Sequence, residues 1–418
     1  MADTMNVSAT GDLPAIAGGI PAKQTPLAPG DRYGEEELAQ LKEALDQNTL
    51  FYSQGSKVRL MEQEMARQHD VEFAVATSSG TASVHAAMIA AGVSPGDEVI
   101  TSPITDMGTL VPILFQGGVP VFAELHPRSY EMDPGSVESL ITERTRAVLA
   151  VNLWGNACDL AALRRICDKR GIMLIEDCAQ AWGATYEGKP IGTIGDIGCF
   201  SLNEFKHISC GDGGVVITKD PDLAKRLRLA TDKGYDRDPG ALMRNASFLC
   251  ANYRLTELQG AVALAQLGKL ESIVARRRKW CEALNARLEG VKGITLPEPT
   301  KGCNPSWWFY MMRAQPEVLG VDTDRFGEAL RAEGLPIGLH YIGRCCYEYP
   351  IFVDHTAFAH APHPFAARTY GKGLCPAAEA ILDTCVMFSV KETFTETDLD
   401  EFAHAITRVA AWFVAGNR

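Results

Sequence analysis

Lys206 lies downstream of Asp177, with Ser201 before it and the run Gly211-Asp212-Gly213-Gly214 after it. An amine that forms a Schiff base with an aldehyde, a carboxylate that keeps a pyridine nitrogen protonated, and hydroxyl and amide donors for a phosphate are the three needs of pyridoxal 5'-phosphate chemistry. This chain offers all three in a workable order. Thr77-Ser78-Ser79-Gly80-Thr81 falls where an apolar strand ends and a helix begins, so free N–H groups and hydroxyls converge there with a helix dipole behind them. The same residues also read as an ordinary Ser/Thr helix cap. Asp177 ends the strand Ile175-Glu176-Asp177, at the carboxyl edge where open α/β sheets bind ligands. Taken alone, it equally fits an exposed strand-end acid or a cap. Lys206 sits in a loop with apolar Phe205 and Ile208, where desolvation would depress its pKa and sharpen it as a nucleophile. A surface lysine is the ordinary alternative. The glycine run permits close backbone approach but matches no dinucleotide fingerprint.

The elements that must position these residues alternate in a β/α rhythm. Strands are expected at Phe73 to Thr77, Glu98 to Ser102, Val119 to Glu124, Ala147 to Leu153 and Met173 to Glu176. Helices are expected between them, from Ala82, Thr109, Pro134 and Leu160 onward, which implies right-handed crossovers and a largely parallel sheet. Ile197 to Ser201 and Gly214 to Thr218 are strands joined by the loop that carries Lys206, with some antiparallel pairing. Helical periodicity then runs from Pro221 to about Glu289. Beyond Val291, short strands (Trp308 to Arg313, Ile337 to Tyr341) mix with helices (Arg325 to Ala332, Asp398 to Phe413). The fold class is α/β. We divide it into an N-terminal arm (1–30), a large domain (31–268) with a mostly parallel sheet of the seven-stranded type between helices, and a smaller α+β C-terminal domain (269–418). The arm, rich in Gly, Ala, Pro and Thr, is expected to be loose and to lie across a partner subunit.

Bulk composition narrows the function classes. A length of 418 residues with 46% hydrophobic content gives ample core for two domains. The formal charge of −12 argues against a nucleic-acid or anionic membrane surface, either of which calls for a basic patch. The basic cluster Arg276-Arg277-Arg278-Lys279 reads as a solvated helix face. Twelve scattered cysteines, with no CxxC spacing and one adjacent pair at Cys345-Cys346, suit reduced, mostly buried thiols rather than a disulfide framework or a metal site. No export signal and no long uncharged apolar run is legible, so the expected setting is the cytoplasm.

Four segments, SSGTASVHAAMIAAGVSPGDEVI, EDCAQAWGATYEGKPIGTIGDIGCFS, FKHISCGDGGVVIT and NYRLTELQGAVALAQL, resemble the sugar and cyclitol aminotransferases of the DegT/StrS type, from roughly residue 30 to the C-terminus. That resemblance implies a fold-type I pyridoxal phosphate transferase. It makes Lys206 the Schiff-base lysine, Asp177 the partner of the pyridine nitrogen, and Gln180 the residue against the ring face or its 3-hydroxyl. Ser79, Gly80, Thr81 and Ser201 match phosphate-binding positions. Asn252, in NYR beside Arg254, matches an asparagine that reaches the phosphate from the other subunit, which implies a homodimer with shared sites. If the family did not apply, Asn252 and Arg254 would read as helix-start capping and surface pairing. His340-Tyr341 matches a pair near the active-site mouth, although a structural role for the histidine also fits, as it does for His207 beside the lysine.

Three departures from the family pattern bear on the substrate. Asp106 stands where most relatives stack an aromatic residue on the cofactor, so either Met107 or another side chain covers the ring, or Asp106 points at the substrate. It also reads as a turn residue. Trp182 and Asn152 stand where relatives commonly carry histidine, and would reshape the acceptor pocket; Trp182 equally reads as core packing.

The implied reaction is a two-stage transfer. L-glutamate or L-glutamine gives its amino group to the cofactor, leaving pyridoxamine 5'-phosphate, and a keto sugar, often nucleotide-linked, or a keto-cyclitol then takes it. Lys206 carries the proton in both stages. A pyridoxamine phosphate-dependent dehydratase is the first alternative, but such relatives lose the lysine. A non-catalytic pyridoxal phosphate-binding sensor is the second.

Overall fold

The computed structural model describes residues 13–418, so the first twelve residues of the expected arm lie outside the described part. Apolar runs of four to seven residues, buried on both faces, form the strands β1 (Phe73–Thr77), β2 (Glu98–Thr101), β3 (Val119–Phe122), β4 (Thr145–Val151) and β5 (Met173–Asp177). A hairpin of β6 (Thr185–Tyr186) and β7 (Lys189–Pro190) follows, then β8 (Ile197–Ser201) and β9 (Gly214–Thr218). The large sheet has the order β1-β9-β8-β5-β4-β2-β3. Only β9 runs antiparallel to its neighbours, which places the expected antiparallel pairing at the lysine-bearing loop.

The second body is built on a four-stranded antiparallel sheet. It contains β10 (Ile294–Thr295), β12 (Phe309–Ala314), β13 (Gly338–Leu339) and β14 (Cys385–Ser389), while β11 (Cys303–Asn304) extends the small β6-β7 hairpin. The fold-type I α/β arrangement expected from the sequence is therefore present.

Helices α1 (Glu35–Asp46), α2 (Lys57–His69), α3 (Gly80–Ala90), α4 (Met107–Phe115), α5 (Pro134–Leu140), α6 (Leu160–Arg170) and α7 (Pro221–Thr231) belong with the large sheet, as does α8 (Glu257–Leu267). Every residue of α3 from Ala82 to Ala90 is buried, as expected of a helix that is apolar all round and enclosed by sheet and neighbouring helices. The longer helix α9 (Leu270–Leu288) packs on the second body. Its Trp280 meets Phe388, Phe394 and Phe402 edge-on and donates its indole N–H to the Thr395 carbonyl at 3.1 Å.

Three features differ from the sequence expectation. Helical periodicity does not continue through 232–256, where Gly234, Pro239 and Gly240 interrupt it and buried Asp232 ties the chain into a loop instead. The strand expected to reach Tyr341 stops at Leu339, because His340 (φ 58°) and Tyr341 (φ 43°) turn left-handed. Residues 13–30 are held against the chain's own second body rather than loose. The Ala15 and Ala22 N–H groups donate to the Glu333 carboxylate at 2.8 and 2.7 Å, and Lys23 pairs with Asp398 at 2.8 Å and Glu401 at 2.6 Å. Among the described residues, no helix is long and apolar enough to cross a membrane.

Candidate active site

Sheet register brings the chemistry to one edge. Thr77 pairs with Gly214, which also pairs with Ser201, and Asp177 lies opposite both Val151 and Cys199. A cavity of about 800 Å³ opens over this edge and is closed by the second body. Its lining includes Ser79, Gly80, Thr81, Asp106, Asp177, Gln180, Ser201, Lys206 and Tyr341.

At one end, α3 points its N-terminus into the cavity. Ser79 caps it, its hydroxyl oxygen accepting from the Ala82 N–H at 3.0 Å, so the capping reading and the cradle reading hold together. The backbone is packed so closely that only glycine fits at two points. A Cβ on Gly80 would sit 2.5 Å from the Ser201 Cβ, and one on Gly214 would meet the Ser79 carbonyl at 2.5 Å and the Thr77 hydroxyl at 2.6 Å. The result is a small bowl of N–H and O–H donors, the donor set that a phosphate requires.

Asp177 lies buried at the floor. Its carboxylate accepts from the Thr109 hydroxyl at 2.7 Å and the Ala179 N–H at 3.1 Å. Burial pushes its pKa above the ordinary aspartate value, while these donors and the Lys206 charge pull it down. A buried carboxylate in this condition is completed by a cationic N–H, which a pyridinium supplies. For Lys206 burial also dominates, lowering the amine's pKa against the opposing pull of Asp177 and Asp106. Donor bowl, buried acid and desolvated amine together fit pyridoxal phosphate.

Gln180 is buried and fixed at both ends of its amide. The carbonyl oxygen accepts from the Trp154 N–H at 3.1 Å, and the amide nitrogen donates to the Tyr341 hydroxyl at 3.1 Å. Asp106 lines the cavity but also caps α4, accepting from the Gly108 N–H at 2.7 Å. That bond gives the acid at this position a helix-capping task; Met107 is not among the lining residues.

Other expected residues stand outside the cavity. Trp182 is fully buried behind the sheet edge, stacking at a tilt on Phe200 and donating to the Ser201 carbonyl at 2.7 Å, so it supports the bowl from behind instead of shaping an acceptor pocket. Asn152 is likewise buried, accepting from the Cys158 N–H at 3.0 Å. His340 faces away, bonded to the Leu382 carbonyl and to Asp324, because its left-handed backbone sends only Tyr341 inward. His207 bonds the Ser306 carbonyl at 3.1 Å in the core. Asn252 is exposed and does not line this chain's own cavity, and Arg254 pairs with buried Asp232.

The sequence reading missed one wall. Arg277, assigned to a solvated basic face, is buried and donates through Nε and Nη2 to Glu392 at 3.0 and 2.7 Å. Arg32 donates to the Lys206 carbonyl at 2.8 Å, and both arginines line the cavity with Glu392, Trp308 and Phe309. Periodicity held the only signal, since Val274, Arg277, Cys281 and Leu284 share the buried stripe of α9.

Comparison with known proteins settles the family. The model of the DegT/DnrJ/EryC1/StrS aminotransferase family matches residues 31–407. The chain belongs to this family. Its members' fold recurs in 3-amino-5-hydroxybenzoic acid synthase, with 26% identity over 93% of this chain and 100% of the other and a TM-score of 0.81. DesV of S. venezuelae, solved in complex with a ketimine intermediate, is 30% identical over 90% of this chain and 94% of its own, with a TM-score of 0.77. DesI, solved in the presence of its TDP-sugar product, is 27% identical over 98% of both chains, with a TM-score of 0.80. This DegT/DnrJ/EryC1/StrS chain is an aminotransferase whose cofactor is pyridoxal 5'-phosphate.

Proposed function

We propose that this enzyme moves an amino group from L-glutamate or L-glutamine to the keto group of a sugar, nucleotide-linked in the simplest case, or of a cyclitol. The observation that carries the reading is the convergence of desolvated Lys206, buried Asp177 and the Gly80–Ser201 bowl on one cavity. The likeness to DesI, solved with a TDP-sugar product, supports a keto-sugar acceptor.

When bound, pyridoxal phosphate supplies the electron sink and carries the amino group between the two half-reactions. Ser79, Gly80, Thr81 and Ser201 hold the phosphate, joined by Asn252 from a second subunit. Asp177 keeps the pyridine nitrogen protonated, and Gln180 steadies the ring or its 3-hydroxyl with an amide oriented by Trp154 and Tyr341. With the cofactor bound, Lys206 would be the base that takes the proton from the donor Cα and the acid that gives it back. Arg32 and Arg277 put guanidinium donors on one wall for a carboxylate-bearing donor substrate, each already partnered by a carboxylate of the same wall, Glu204 and Glu392. The twelve unpaired thiols support work in the reducing cytoplasm.

A dehydratase using the same cofactor is disfavoured by Lys206, and a sensor without turnover by the complete set of reacting groups. The deciding experiment adds L-glutamate and L-glutamine in turn to the holoenzyme, following cofactor absorbance and keto-acid release. The proposal expects a stoichiometric change with at least one donor, reversed by a keto-sugar or keto-cyclitol acceptor, and no keto-acid release in Lys206→Ala. Turnover by that variant would refute the assignment of Lys206.

A further inference from the structure

We propose that the indole face of Trp308 is the resting platform for the Lys206 ammonium whenever that amine is not bonded to a carbonyl carbon, making Trp308 a positioning residue for the proton-carrying group. This rests on the reading of Lys206 as the reacting amine. The Lys206 Nζ stands 4.1 Å from the centre of the Trp308 ring, within the range where an ammonium is drawn to an aromatic face. The amine makes no ion pair with a carboxylate and no side-chain hydrogen bond among the described residues, although the charges of Asp177 and Asp106 both reach it. Among the described residues, the amine's cation–π partner is this ring.

The ring itself is fixed. Its indole N–H donates to the Phe205 carbonyl at 2.7 Å, so the residue next to the lysine anchors the platform. The Trp308 N–H donates to the Trp154 carbonyl at 3.0 Å, and its own carbonyl accepts from the Val390 N–H at 3.4 Å. The lysine loop, the turn that follows β4 and the second body thus all hold one plane beneath one amine. A carboxylate at this point would compete for the proton; an aromatic face attracts the charged form without being able to accept the proton. Each time Lys206 becomes protonated, the face stabilises the product while leaving the proton on nitrogen for delivery.

The platform predicts the sign of a shift that a space-filling role would reverse. Apoprotein of the wild type, W308F and W308L is mixed with pyridoxal 5'-phosphate across a pH series, the capture rate is recorded, and the modified lysine is located by peptide mass after borohydride reduction. Only the neutral amine reacts, so the difference in rate midpoint between variants reports the lysine. Loss of the face in W308L should lower the midpoint by roughly 0.5–1 unit, and W308F, which keeps a smaller face, should lower it less. If Trp308 only fills space, W308L admits water and the midpoint rises. A rise or an unchanged midpoint in both variants overturns the proposal, and W308F decides the matter if W308L does not fold. A wild-type adduct on a lysine other than Lys206 would instead overturn the functional reading beneath it.

Discussion

Asp177 is stabilised by what it is built to meet more than by what the bare chain gives it. Without a cationic partner its carboxylate is buried against two donors, and burial holds its pKa above the ordinary 3.8. A folded-state pKa raised above the unfolded one means that the fold binds the proton more tightly, so the ionised group weakens the cofactor-free fold at neutral pH. That penalty fades as pH falls through the raised value and is gone below the unfolded value. Asp177→Asn should therefore raise the melting temperature of the cofactor-free protein at pH 7 to 8, with the gap closing below about pH 4. Activity should move the other way, falling about 10²-fold or more, because a neutral amide does not hold a pyridinium charged. Thermal melts with and without pyridoxal phosphate read both effects. A variant less stable than wild type in the cofactor-free state at pH 7 would show that the buried charge is better satisfied than its neighbours indicate.

The helix α3 and the strands β1, β8 and β9 act as one element, because the glycines that let them touch leave no slack. Gly80→Ala drives a methyl group to 2.5 Å from the Ser201 side chain and 3.2 Å from its Cα. The expected outcome is a loss of pyridoxal phosphate affinity of at least about tenfold, with destabilisation of about 1–3 kcal/mol from overpacking. Spectrophotometric cofactor titration and denaturant melts measure the two. Adding Ser201→Gly should restore much of the stability but not the affinity, since it removes a phosphate donor along with the clash. These strands were legible to the residue, because runs such as Phe73–Thr77 and Gly214–Thr218 are apolar, short and bounded by turn-formers. Lys206 and Asp177 each read alone as an ordinary surface residue too, and it was their order along the chain together with the family resemblance that placed them in one cavity. The Arg277–Glu392 wall was not legible, because a charge that is buried only through a distant partner looks like a solvated one in sequence. Trp182 had two readings, pocket by its family position and core by its size, and the Ser201 carbonyl holds it in the core. The loop at 232–256 shows a third limit, since local periodicity cannot register that buried Asp232 is worth more to Tyr52, Arg237 and Arg254 than another turn of helix.

At the scale of the whole molecule, one chain leaves large apolar side chains exposed around its site. Asn252 is exposed, yet the family pattern gives it a phosphate to hold, and Leu242 and Leu249 in the same loop are 76% and 86% exposed, with Phe205 beside the lysine at 78%. Large apolar side chains left in water around a functional loop mark a surface that another chain covers. We propose that the cover is a second copy, each lending Asn252 to the other's bowl. Shared sites make a prediction that separate sites do not. Lys206→Ala should be inactive because the amine is gone, and Asn252→Asp should be severely impaired because a carboxylate faces the phosphate. Neither variant alone contains a complete site, but a hybrid dimer holds one in which wild-type Lys206 of one chain meets wild-type Asn252 of the other. Mixing the two variants, with mild denaturant to exchange subunits, should therefore recover transamination, and recovery should follow the fraction of hybrid dimers, isolated through an affinity tag carried by only one of the two variants. If each chain closes its own site, every chain in the mixture carries one defect and activity stays at the level of the separate variants, whatever the extent of exchange.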